Sequence, residues 1–173
     1  YLYSKHHPSK QMSLAISSIK ELERTLFIFA SPVLAFEASS FIHSLPTSSF
    51  LLFLEGDAQL GELFEKQFFN NFKQQASSKK NIDYICTNDI NTALDYIEQT
   101  TNFSFKRLQL VRCSGGFNFY EQFYIDVIKR TEDAIGIFWK NRITLIEMGR
   151  LYSRNIFKWM VHIAKEKKNI ENS

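Results

Sequence analysis

Cysteine, proline and glycine are all scarce in this 173-residue chain: two Cys, three Pro and six Gly. Two cysteines cannot staple a small secreted scaffold, and a chain of this length, which buries roughly 70% of its unfolded surface, needs no staples. The low glycine and proline counts exclude collagen-like and low-complexity classes. Long apolar runs are also missing. The longest uncharged stretches are broken by Ser, Pro or Thr, so no membrane span is expected. The polar N-terminus carries no signal-peptide pattern. An excess of one charge is missing too: 21 Lys and Arg face 18 Asp and Glu, and a net charge of +3 gives no argument for a nucleic-acid partner. What is present is globular, with 45% hydrophobic and 23% charged residues. The unusual count is 17 Phe, which implies either a bulky aromatic core or an aromatic contact surface.

Cys86 and Cys113 each close an apolar run that reads as a strand, and both read as small buried hydrophobes. A disulfide between neighbouring strand ends has no support in the pattern, and a reducing, cytoplasmic setting is the simpler expectation. His6, His7, His43 and His162 show no metal-ligand spacing with either cysteine.

Along the chain, strand-like and helix-like segments alternate. Residues 8–23 read as a helix opened by Pro8, with Met12, Ala15, Ile16 and Ile19 on one face. Residues 26–30 form a continuous apolar run, the pattern of a strand buried on both faces. Ser31-Pro32 reads as an N-cap and first turn of a helix over 33–45, with Leu34, Ala38, Phe41 and Ile42 inward. A second buried strand covers 50–54, and a helix over 58–73 places Leu60, Leu63, Phe64, Phe68 and Phe72 at helical spacing. Residues 74–80 read as a polar loop or frayed helix end, 82–86 as a third strand, and Asn88 or Asp89 as the cap of a helix carrying Ile90, Ala93, Leu94 and Ile97. A fourth strand at 108–111 ends in Ser114-Gly115-Gly116.

Such alternation predicts an α/β, Rossmann-like, mainly parallel sheet of about four or five strands with flanking helices and the first strand central. The core is placed at residues 1–117, followed by a helical extension at 118–173. Two helical stretches are expected there, 118–135 and 137–168. The second carries Phe138, Leu145, Tyr152, Ile156, Trp159 and Ile163 at a period of about 3.5 residues, interrupted by Arg142 and Gly149. That stripe fits a neighbouring domain or a second copy of the chain, with ordinary packing inside the domain as the alternative.

Candidate site residues follow from the architecture, because ligands of open α/β sheets bind at the carboxyl ends of the strands. Glycines normally let the first strand-to-helix turn approach phosphate. Here that turn is Ala30-Ser31-Pro32-Val33, with no glycine and one donor removed, which disfavours a dinucleotide. Glu55 and Asp57 end the second strand, where an acid can accept hydrogen bonds from ribose or sugar hydroxyls; Asp57 reads equally well as a helix N-cap. Ser114 and Gly115 could cradle an anion or form a plain turn. A bound ligand would therefore meet Ser31, Glu55, Asp57, Ser114 and Gly115, with Ser31 and the helix behind it taking a negative group. Catalytic and metal-binding sets are not recognisable: there is no Walker loop and no Gly-x-Ser-x-Gly elbow.

Several segments together resemble the motility-associated factor group of bacterial flagellin glycosyltransferases, which contain a hydroxymethylpterin pyrophosphokinase-like domain. Leu2-Tyr3-Ser4-Lys5-His6-His7-Pro8 looks like the group's lead into its first helix, and Phe50 to Asp57 is similar to its second strand ending in an acid. Asn141-Arg142-Ile143-Thr144 and Gly149-Arg150-Leu151-Tyr152 to Asn155-Ile156-Phe157 look like the helix that leads into its central domain. The resemblance implies an excised N-terminal accessory domain that binds or scaffolds. Sugar transfer to flagellin Ser or Thr, and any nucleotide sugar, would belong to a catalytic domain downstream in the same chain. The group's glycine loop is replaced here by Ala30-Ser31-Pro32. Two alternatives remain open: a transferase domain that binds a nucleotide sugar or S-adenosylmethionine on its own, and a helical module that forms homo-oligomers.

Overall fold

The computed structural model describes residues 10–34, 37–70, 72 and 81–171, with the side chains of Gln11 and of 164–171 left aside. Four strands, β1 (Thr25–Ala30), β2 (Phe50–Glu55), β3 (Ile82–Cys86) and β4 (Arg107–Arg112), form one sheet in the order β3-β2-β1-β4. Every pairing is parallel, with Phe27 opposite Leu51 and Gln109, and Leu52 opposite Asp83. This is a Rossmann-like α/β fold. Its central strands β1 and β2 are buried at all six positions, as continuous apolar runs require when helices cover both faces. The edge strands are half exposed.

Alternation along β1 and β2 sends side chains to two cores. Phe27, Phe29, Leu51 and Phe53 meet Met12 of α1 (Lys10–Ser17), Phe41 and Ile42 of α2 (Ala38–Ser44) and Phe64 of α3 (Ala58–Phe64). Leu26, Ile28, Leu52 and Leu54 meet Ala93 and Ile97 of α4 (Ile90–Thr101) and Phe123, Tyr124 and Val127 at the start of α5 (Glu121–Glu171). The first core is built from rings: Phe27 lies edge-on to Phe41 at 5.0 Å, Phe29 edge-on to Phe53 at 5.6 Å, and Phe53 stacks on Phe72 at 5.7 Å. Much of the phenylalanine excess is therefore interior.

Helix boundaries depart from the sequence pattern in instructive ways. The helix expected over 8–23 spans Lys10–Ser17, where the Ser17 and Ser18 hydroxyls donate back to the Leu14 and Ala15 carbonyls and compete with its continuation; Pro8 and the rest of 1–9 lie outside the described residues. The helix expected from Val33 begins only at Ala38, behind a left-handed Glu37 that makes no side-chain cap. Ser31 is thus not a helix N-cap. Its own backbone is left-handed, with φ 51°, and its amide donates to the Leu54 carbonyl at 3.0 Å. After α3, a π-helical turn over Glu65–Phe69 shifts the register, so Phe69 is buried and Leu63 is exposed. The loop expected at 74–80 lies outside the described residues.

Beyond β4, a 3₁₀ turn (Gly115–Tyr120) runs into α5, which passes Gly149 without a break over 51 residues. The chain divides into two compact units between Ile135 and Gly136. The first turns of α5 belong with the sheet; the second unit is the remainder of that helix.

Cys86 ends β3 and Cys113 follows β4, the two opposite edges of the sheet, and both are free thiols. Strand order alone keeps them from pairing.

Candidate functional site

Three of the sequence-predicted site residues converge at the carboxyl ends of the strands. Ser31 follows β1, Glu55 closes β2 and Ser114 follows β4, and all three are buried. Parallel strands bring these positions to one edge of the sheet, and the left-handed turn at Ser31 aims its hydroxyl sideways to lie 2.9 Å from that of Ser114. Ser114 Oγ also accepts the Gly116 amide at 3.0 Å, closing the turn at Gly115. A phosphate nest would leave such amides pointing outward. Here the Gly116 and Phe117 amides are taken by the Ser114 hydroxyl and carbonyl.

Glu55 is fully buried. Its Oε1 accepts the Asp57 amide at 3.1 Å and the Tyr124 hydroxyl at 3.3 Å, while its Oε2 has no hydrogen-bond partner among the described residues. Burial pushes the carboxyl above the ordinary glutamate range; the Asp57 amide, the Tyr124 hydroxyl, the Gly56 amide and Ser31 pull the other way. Tyr124 reaches in from α5, accepts the Gly56 amide at 2.9 Å and stacks on Phe117 at 4.9 Å. Burial, followed by the neighbouring Glu55 charge, pushes its phenol far above its usual range. Cys113 is buried beside the same group, and its thiol is pushed up by burial and by Glu55. Nothing in this cluster has the lowered pKa of an activated nucleophile.

Asp57 stands apart at the rim. Its Oδ1 accepts the Gln59 and Leu60 amides at 2.9 and 3.0 Å, the geometry of an N-cap on α3, and its Oδ2 accepts the Tyr120 hydroxyl at 3.3 Å. Gly115 lies half-buried in the turn. Between the ends of β2 and β3, Gly56, Asp57, Cys86, Thr87, Asn88 and Tyr120 line an open cleft of 390 Å³. Gly56 allows close packing there: a Cβ would lie 3.0 Å from the Tyr120 ring, which would have to shift slightly to admit it. Among the described residues no group of three or more His, Cys, Asp or Glu could hold a metal ion, and no helix is long and apolar enough to cross a membrane.

Sequence reasoning missed Tyr124 and Tyr120. The signal was available in principle, since a tyrosine at a core-facing position in a phenylalanine-rich chain needs a partner for its hydroxyl.

No family model matches the chain, and no solved structure matches it. It is similar to an uncharacterized protein of Treponema pallidum (strain Nichols), with 34% identity over 157 residues, 91% of this chain. That match covers 27% of the relative, so the chain spans about a quarter of its length.

Proposed function

We propose that this chain is an N-terminal accessory domain of a motility-associated glycosyltransferase, acting in the cytoplasm by binding or scaffolding and making no bonds itself. The observation that carries the reading is the filled crevice. Where an open α/β sheet receives a nucleotide, Tyr124, Ser31 and Ser114 occupy the space around Glu55, and the acid faces inward. The similarity to a segment of a much longer relative supports a modular role. Chemistry on a nucleotide sugar would then fall to a downstream domain, with flagellin as the acceptor.

Calorimetry of the chain with a CMP-activated sugar and with S-adenosylmethionine tests this. The expected result is no saturable heat. Micromolar binding that Ser31→Ala and Glu55→Ala both abolish, with the fold intact by circular dichroism, would restore the self-sufficient transferase.

A further inference from the structure

Among the described residues, most of the exposed large apolar side chains lie in the second unit, from Gly136 onward. Along one line of the helix lie Leu145, Tyr152, Ile156, Trp159 and Ile163, from 40% to 69% exposed, continuing the line of Phe138, Arg142 and Gly149. Ile146, Phe157 and Met160 flank this line on one side, Met148 and Leu151 on the other, all exposed. At about 100° per residue these side chains form a broad apolar stripe, interspersed with Asn141, Thr144, Ser153, Asn155 and His162. Lys140, Glu147, Arg150, Arg154 and Lys158 share the remaining strip with the exposed Ile143 and Val161. A contiguous exposed apolar stripe of this breadth is the mark of an interaction surface.

We propose that two copies of the chain meet along this line, antiparallel, with the two-fold axis between Arg150 and Leu151. That register places Phe138 against Ile163, Arg142 against Trp159, Leu145 against Ile156 and Gly149 against Tyr152, each pair occurring twice. The line has two positions that are not large and apolar, and each is matched by a large ring of the same helix. Gly149, where a Cβ would meet nothing within 4 Å, leaves room for Tyr152. Arg142, whose guanidinium lies 5.9 Å from the centre of the Trp139 ring within one copy, is set across from Trp159 of the other copy and can extend that cation–π contact.

Self-complementarity of this kind is what an isologous two-fold interface requires. A parallel pair would instead set Gly149 on Gly149, a gap, and Arg142 on Arg142, a repulsion. Lys140 and Lys158 stay on the outer strip, clear of the contact. With aromatic side chains covering ~150–250 Å² each, the line reaches the order of the ~800 Å² per partner found in stable interfaces. The inference is independent of the filled crevice.

Analytical ultracentrifugation of the 173-residue chain tests it, with a concentration-dependent dimer expected. Gly149→Leu fills the space opposite Tyr152 and raises the dimer Kd by about tenfold or more, although leucine is the better helix former and helicity is retained. Orientation is read by disulfide trapping in a Cys86→Ser background. Leu145→Cys mixed with Ile156→Cys gives a covalent dimer, and Leu145→Cys alone gives none. A monomer at every concentration overturns the proposal, as does self-trapping of Leu145→Cys. So does a monomer that associates only with phosphatidylglycerol vesicles, which would make the helix a membrane-surface element.

Discussion

Glu55 illustrates how one side chain can be costly to bury and still organise its surroundings. The Tyr124 hydroxyl bridges its carboxyl and the Gly56 amide, so Tyr124→Phe strands a buried donor at Gly56. Loss of about 1–3 kcal/mol in urea denaturation is the expected outcome. The acid itself gives a pH signature. Its folded-state pKa is raised above the ordinary 4.5, so the folded chain binds this proton more tightly than the unfolded chain. The associated stability is complete below the unfolded value and declines as pH rises through the folded one. Glu55→Gln removes that component. The urea midpoint of the wild type is expected to fall relative to the variant as pH is raised from 4 towards neutrality, roughly the window opened by an upward shift. A constant difference between the two proteins across that range would contradict a raised carboxyl pKa.

Elements show which parts of the design rest on local rules and which on contacts. The strands were readable because β1 and β2 are unbroken apolar runs, and the N-caps at Asp57 and Asp89 follow from side-chain chemistry that any isolated helix obeys. The start of α2 was not readable. Ser31-Pro32 is a good local helix opening, yet the hydroxyl pair with Ser114, 83 residues away, pulls the turn elsewhere. The π-helical turn after α3 was hidden for the same reason: burying Phe69 as well as Phe64 and Phe72 is a demand of the sheet, unseen in helical periodicity. For the candidate site, Ser31, Glu55 and Ser114 were found by their places at strand ends, whereas the inward facing of the acid depends on Tyr124, 69 residues on. Gly61 separates propensity from contact in the same manner. Alanine is the better helix former by about 1 kcal/mol, but a Cβ there would lie 2.4 Å from Cys86 Sγ and 2.6 Å from the Tyr84 hydroxyl. Gly61→Ala is expected to lower thermal stability, by about 1–3 kcal/mol, and Cys86→Ala to recover part of the loss in the double variant.

At the scale of the whole molecule, strand order decides the redox behaviour. Cys86 is exposed and Cys113 is buried, on opposite edges of the sheet. Ellman's reagent is expected to titrate one thiol in the native chain and the second only in denaturant, with no intramolecular disulfide forming on oxidation. Burial raises the pKa of both thiols, so the native reaction should be slow at neutral pH and quicken as pH rises. Two fast thiols in the native state would mean that the β4 edge opens.

Strand β4 has one more effect. Along this edge strand Arg107, Gln109 and Arg112 are exposed, with Arg107 paired to Glu21 and Arg112 to Glu121. Another β4 laid alongside would have to disturb these ion pairs or crowd guanidinium against guanidinium, which disfavours strand addition there. Charged side chains along that border therefore work against fibril-like zippering, as they do on the edges of many natural sheets.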